Sequence, residues 1–252
     1  MLSANKVDGI IAGAHNLEID EYQKLNMPII SFDRSFADTI PIVSSDNYRG
    51  GYLAAEYLYQ QGARQIGIVT GSQNSDSPSN DRLDGYLDYL KTLGLEPHVF
   101  KVGAISQNLT LKRMELEKLL DHENLDGIFC SDDLTALMIY NLCKERNISV
   151  PDDLKLISYD GTAFIKDFCP YFPTIEQPIK DIASILVDLL IKRINDVDAP
   201  LDKKYVLPVR VHYPTYFNIK DPQRVSHYAT LWGLFFIYVE LIFYRSQLLP
   251  NL

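Results

Sequence analysis

The sequence predicts an α/β fold built on parallel sheets, and three features carry that expectation. From Gly9 to Val211, short apolar runs alternate with stretches whose apolar residues recur at helical spacing. Polar residues stand repeatedly just past the carboxyl ends of those runs, where open α/β sheets bind ligands. The 252 residues are 46% hydrophobic and 23% charged, enough for one large or two modest globular cores.

The elements follow in order. Gly9 to Ala12 is a short buried run, and Ile19, Tyr22 and Leu25 lie at helical spacing after it. Pro28 to Phe32 is a second run closed by Asp33-Arg34, and Ile42-Val43 a third ending at Ser44-Ser45-Asp46-Asn47. Tyr48 to Gln61 reads as a helix, with Tyr52, Ala55, Leu58 and Tyr59 on one stripe and Gly62 as its stop. Ile66 to Val69 is a strand, followed by a polar loop from Gly71 to Asn80. Leu83, Tyr86, Leu87 and Leu90 mark the next helix, stopped by Gly94. Then come a strand at Val99 to Val102, a helix at Leu109 to Leu120 and a strand at Gly127 to Cys130. Asp132 or Asp133 caps the helix that runs through Leu137 to Arg146. Leu156 to Tyr159 is a strand ending at Asp160-Gly161, Ile179 to Ile194 a long amphipathic helix, and Tyr205 to Val211 one final strand. From Pro214 the periodicity is lost. Leu231 to Tyr244 is bulky and aromatic but shorter than the ~20 residues of a membrane-spanning helix.

Charge and motif content exclude several functions. The formal charge is −9, from 24 Lys and Arg against 33 Asp and Glu, the opposite of a nucleic-acid-coating protein. Cys130, Cys143 and Cys169 are too few for a disulfide framework or a four-ligand zinc site, which fits a reduced, cytoplasmic setting. The residues from Met1 to Lys6 contain no apolar run of a secretory signal. His15, His98, His122, His212 and His227 make no metal-binding spacing. The chain has no Gly-x-Ser-x-Gly elbow, no phosphate loop and no Gly-x-Gly-x-x-Gly fingerprint. No catalytic residue, metal or cofactor is therefore expected, and the pattern reads as a ligand-binding α/β protein.

Three polar positions stand out. Asp132-Asp133 before an apolar helix is most simply a cap, and secondarily a ligand contact. Arg82 sits in a first helical turn, where a cation opposes the helix dipole; it is a site candidate beside the plainer reading of a surface ion pair. Asp160 is either a turn-forming residue or a site residue at the end of its strand.

The motifs, taken in order, carry a resemblance. They are Val7-Asp8-Gly9-Ile10-Ile11, Phe32-Asp33-Arg34, Val43-Ser44-Ser45-Asp46-Asn47, Gly62-Ala63-Arg64-Gln65-Ile66, Arg82-Leu83-Asp84-Gly85-Tyr86, Ser131-Asp132-Asp133, Ser158-Tyr159-Asp160 and Thr174-Ile175-Glu176-Gln177-Pro178. The string resembles the effector-binding core of the lactose-repressor/galactose-repressor (LacI/GalR) family, nearest to its sucrose-operon repressors. The resemblance implies two α/β subdomains of the periplasmic-binding-protein type, joined by crossovers, with a saccharide between them. It implies that Arg82 grips sugar hydroxyls, that Asp160 accepts from them, and that Asp33 is a further site carboxylate. Ser131 stands where many relatives have Asn, and Asp132 borders it. Asp76 and Pro78 stand where some relatives have sugar-contacting serines.

The same resemblance sets the expected organisation. Residues 1–46 with 174–197 form a partial N-terminal subdomain, 47–173 with 198–212 the C-terminal one, and 213–252 an unrelated apolar tail. Relatives carry a DNA-binding headpiece and further strands ahead of the motif that begins here at Val7. The expectation is thus an N-terminally truncated core, homodimeric in intact relatives, which reaches operator DNA only through that headpiece and does not engage a membrane. Two functions remain open at this stage: the sugar-sensing core of a repressor, or a free sugar-binding protein of the transport type. An enzyme is a distant third.

Overall fold

The computed structural model describes residues 7–13, 27–71, 78–102, 108–122, 124–170 and 172–213. The stripe at Ile19, Tyr22 and Leu25, the site candidate Asp76 and everything from Pro214 onward lie outside them.

Two sheets organise residues up to Tyr213. The first has four parallel strands in the order β1 (Ile10–Ala12), β2 (Ile29–Phe32), β3 (Ile42–Ser45) and β9 (Lys204–Leu207). The second has six, in the order β10 (Arg210–His212), β8 (Thr174–Glu176), β7 (Lys155–Asp160), β6 (Gly127–Cys130), β4 (Ile66–Gly71) and β5 (His98–Val102). All its neighbours are parallel except β10 on β8. The helices between them are α1 (Asn47–Gln60), α2 (Asp81–Leu93), α3 (Leu109–His122), α4 (Asp133–Glu145), α5 (Ala163–Phe168) and α6 (Ile179–Asn195). The α/β class read from alternation is what forms.

Both faces of the six-stranded sheet are covered, as nearly continuous apolar strands require. On one, Ala54, Ala55 and Leu58 of α1 and Tyr86 and Leu90 of α2 pack against Ile66, Ile68, Phe129 and Ile157. On the other, Leu116 of α3 and Ile139 and Leu142 of α4 pack against Val69, Ile128 and Leu156. The four-stranded sheet has its own core, where Ile182, Leu186 and Leu189 of α6 meet Ile30, Val43 and Leu207. Two glycines let α1 and α2 touch backbone to backbone: a Cβ at Gly51 would lie 1.9 Å from the Arg82 carbonyl oxygen, and one at Gly85 1.9 Å from that of Tyr48. This contact lays the first turn of α2 across the first turn of α1.

The chain passes between the sheets after β3, after β8 and between β9 and β10. Two expectations are corrected here. The final strand expected over Tyr205 to Val211 is two strands in different sheets, broken at Pro208-Val209. Proline supplies no N–H to a ladder, but the unbroken apolar run around it hides the break from periodicity. The expected grouping also put 174–197 in the N-terminal unit and 198–212 in the C-terminal one. Thr174–Glu176 instead pairs with β7 in the six-stranded sheet, and Lys204–Leu207 pairs with β3 in the four-stranded one. Strand pairing is long-range, and a three-residue strand beside a proline carries no local sign of its partner.

Candidate functional site

The strand order of the six-stranded sheet reverses between β4 and β6, and open α/β sheets take ligands outside the carboxyl ends of strands at such a point. Arg82 reaches it from the first turn of α2. Its Nη1 donates to the Ser131 carbonyl oxygen at 2.6 Å, just past β6, and its Nε to Asn47 Oδ1 at 2.7 Å, at the start of α1. Nη1 also lies 3.8 Å from Asp160 Oδ1, at the end of β7. The guanidinium carbon rests 3.6 Å from the centroid of the Tyr159 ring. Burial raises the Tyr159 hydroxyl well above its ordinary range, so the cation lies on a neutral phenol. Arg82 is only 7% exposed, which excludes the surface ion pair.

Two amide side chains at the crossovers complete the arrangement. Asn47 Nδ2 donates to Asp33 Oδ1 at 3.2 Å and to the Ser45 carbonyl oxygen at 3.1 Å. Gln177 Nε2 donates to Asp160 Oδ1 at 2.8 Å, while its Oε1 accepts from Ser45 Oγ at 2.7 Å. Asp33, Asn47, Arg82, Asp160, Gln177 and Ser45 thus make one closed polar circuit linking the carboxyl ends of β2 and β3 with that of β7. Neither Asn47 nor Gln177 was a site candidate from sequence, although each stands inside a quoted motif. Their signal was position: both sit where the chain leaves one sheet for the other.

The two carboxylates share an unusual backbone. Asp33 has φ 54° and Asp160 φ 106°, in the half of conformational space that side-chain-bearing residues rarely enter. Burial pushes both carboxyls up. For Asp33, the charge of Arg82 and the Asn47 hydrogen bond work against burial without cancelling it. Asp160 is pushed up to about 7 by burial, with the charges of Asp133 and Asp132 adding and Arg82 and Gln177 opposing. Strained backbone and desolvated carboxylates cluster at functional sites, which makes this pair a site candidate.

The adjacent aspartates divide their work. Asp132 caps α4, accepting from the Thr135 backbone N–H at 2.7 Å, with Lys112 Nζ 3.6 Å away. Asp133 is buried and accepts from Ser158 Oγ at 2.6 Å, Thr162 Oγ1 at 2.7 Å, Thr162 N–H at 2.9 Å and Thr174 Oγ1 at 3.1 Å. It pins α4, β7, β8 and the start of α5 together, and so sets where Asp160 falls. Ser131 gives the site its backbone carbonyl.

This geometry offers fixed donors and acceptors for a polyhydroxylated ligand. Among the described residues no group of His, Cys, Asp and Glu could hold a metal ion, and burial raises the Cys130 thiol well above its ordinary range. A periplasmic binding protein-like domain matches residues 55–213. Over 86% of this chain and 80% of its own, the structure of a periplasmic binding protein/LacI transcriptional regulator from Alkaliphilus metalliredigens, complexed with D-xylulofuranose, superposes with a TM-score of 0.73 at 30% identity. The chain belongs to the LacI/GalR family. Within it, the sucrose operon repressor of Pediococcus pentosaceus is 49% identical over 211 residues, 84% of this chain and 64% of that protein. That of Streptococcus mutans is 46% identical over 209 residues, 83% of this chain and 63% of its own. The chain therefore spans just under two thirds of the curated relatives it matches. A LacI-family regulator from Enterococcus faecium with bound ribose has a TM-score of 0.72 at 25% identity, covering 85% of this chain and 82% of that one.

Proposed function

We propose that this chain is the saccharide-sensing core of a cytoplasmic repressor of a carbohydrate-utilisation operon. The observation that carries the reading is the buried circuit around Arg82. A guanidinium fork donates where hydroxyl oxygens can accept, and the carboxylates of Asp33 and Asp160 accept where hydroxyls can donate. Asn47 and Gln177 orient those groups, and the Ser131 carbonyl and Asp132 border them; the resemblance adds Asp76 as a further contact. The bound sugar acts as a signal rather than a reactant, and the similarity to the sucrose operon repressors above supports that choice. In the whole protein the core would work as a homodimer, with operator DNA held by a separate headpiece.

Titration calorimetry of the purified chain against sucrose, fructose, xylulose and ribose tests this. Saturable binding of one of them, lost in Arg82→Ala, is expected; absence of binding across the panel overturns the reading.

A further inference from the structure

We propose that the site takes an uncharged saccharide and rejects its phosphorylated counterpart, a refinement that rests on the saccharide reading above. A sugar phosphate is ordinarily held by a cation available to it and by backbone N–H groups at a helix N-terminus. Here Arg82 and Lys112 already have acidic counter-charges, and the starts of α1, α3 and α4 are capped by side chains.

The cations come first. Arg82 donates from Nε to Asn47 and from Nη1 to the Ser131 carbonyl, and Asp160 already stands as its counter-charge. Lys112, 7% exposed in the first turn of α3, has Asp132 3.6 Å from its ammonium. Arg34, buried just past β2, has its guanidinium carbon 5.6 Å from the Phe36 ring centroid. Residues 72–77 and 103–107, which continue the chain from the carboxyl ends of β4 and β5, contain no Lys, Arg or His, while residues 14–26, which follow β1, contain His15 and Lys24.

Side chains cap several of the helix starts, though not those of α2 and α6. Asp46 accepts from the Arg49 N–H at 2.9 Å ahead of α1, and Asp132 from the Thr135 N–H at 2.7 Å ahead of α4. Asn108 Oδ1 accepts from the N–H groups of Thr110 and Leu111 at 3.1 and 3.3 Å ahead of α3. The first turn of α2 carries Asp81 and Asp84. The N–H of Thr162, at the start of α5, donates to Asp133 Oδ2 at 2.9 Å.

Electrostatics point the same way. Asp33, Asp132, Asp133 and Asp160 outnumber Arg34, Arg82 and Lys112 around the strand ends. Arg82 does not offset the burial of Asp33 or Asp160, both of which stay above the usual carboxylate range. A phosphate would bring roughly two further negative charges into a region short of positive ones, and like-charge juxtaposition costs several kcal/mol. Uncharged hydroxyls bring only donors for those carboxylates and acceptors for the guanidinium.

Matched pairs test the proposal on the intact 252-residue chain by calorimetry: sucrose and sucrose 6-phosphate, fructose and fructose 6-phosphate, ribose and ribose 5-phosphate, with inorganic phosphate as a fourth probe. In the pair that binds, the uncharged member is expected to be tighter by about tenfold or more. Asp132→Asn, which keeps a capping side chain but removes the counter-charge of Lys112, is expected to narrow that ratio several-fold. A phosphorylated member that binds equally or more tightly overturns this inference and leaves the saccharide reading standing. No binding by either member of any pair overturns both.

Discussion

The six-stranded sheet is sheathed on both faces by described helices, with large side chains such as Phe129 and Tyr159 fully buried between them. Among the described residues, the four-stranded sheet rests on α6 across one face, and Ala12, Ile29 and Phe36 form a small buried cluster apart from it. Its edge strand β1 pairs with β2 and leaves Ile11 41% exposed. Yet each half contributes one strained carboxylate to the same circuit, Asp160 from the first and Asp33 from the second. The difference teaches that the two halves do different work. The six-stranded half carries Arg82, Tyr159, Ser131 and Asp160. The four-stranded half contributes Asp33 and Ser45, joined to the other through two crossover amides. Placing most of a polar site on a sheet covered on both faces agrees with the need to hold donors and acceptors within fractions of an ångström.

The largest expected effect tests that packing contrast. In Gly85→Ala the new methyl meets the Tyr48 backbone at 1.9 Å, with no flexible atom to yield. In Gly9→Ala, beside the four-stranded sheet, the nearest atom is the mobile tip of Leu190 at 2.7 Å. Gly85→Ala should destabilise the chain by about 3 kcal/mol or more, the upper end of overpacking, and Gly9→Ala by about 1 kcal/mol or less. Urea unfolding curves decide it, and equal losses would erase the contrast.

Next in size is the contribution of each half to the ligand. Removing one member of a buried charged hydrogen bond costs on the order of 2–5 kcal/mol, so Arg82→Ala should weaken saccharide binding roughly thirtyfold to a few thousandfold. Asp33→Asn keeps the shape of its side chain and is expected to weaken it less than Asp160→Asn does. Calorimetry with the bound sugar ranks the three, and a reversed order would move the centre of the site to the four-stranded half.

Asp160→Asn should also have an effect of opposite sign on the free protein. In the fold this carboxyl is pushed up to about 7 from an ordinary 3.8, so folding retains a proton that the unfolded chain gives up. The carboxyl therefore costs stability progressively as pH rises from about 4 to 7, and by a constant amount above that. With the side chain 30% exposed, solvent limits the expected gain from Asn to about 1–2 kcal/mol at pH 8, vanishing near pH 4. Thermal unfolding of both forms at the two pH values measures this. A variant less stable than the parent at pH 8 would contradict it.

The smallest expected effect belongs to Asp132. As a cap it should cost about 1 kcal/mol of stability when replaced by Ala, with a smaller loss of sugar affinity than Arg82→Ala. Denaturation and calorimetry on the same preparation separate the two readouts.

Much of this was legible before any tertiary information. Asp132 could be read as a cap because capping is local: a side-chain oxygen reaching an N–H three residues on. Arg82 stood out because a cation in a first helical turn runs against the dipole, and its burial explains the exception. Asn47 and Gln177 gave no such local sign. Asparagine after a strand and glutamine before a proline are ordinary turn residues until their partners are known.

The order of residues by itself determined the alternation of strands and helices, the helix stops at Gly62 and Gly94, and the motif string that marks the family. These depend on periodicity and on contacts a few residues apart, which a sequence displays directly. Only the tertiary structure decided that β8 and β9 sit in opposite sheets from those expected and that Tyr205 to Val211 divides in two. It alone brought Arg82 to Asn47 across 35 residues and to Ser131 across 49. It also decided the burial that pushes Asp160 up to about 7. Strand partners and desolvation arise from how distant segments pack, and no local pattern of side chains encodes them.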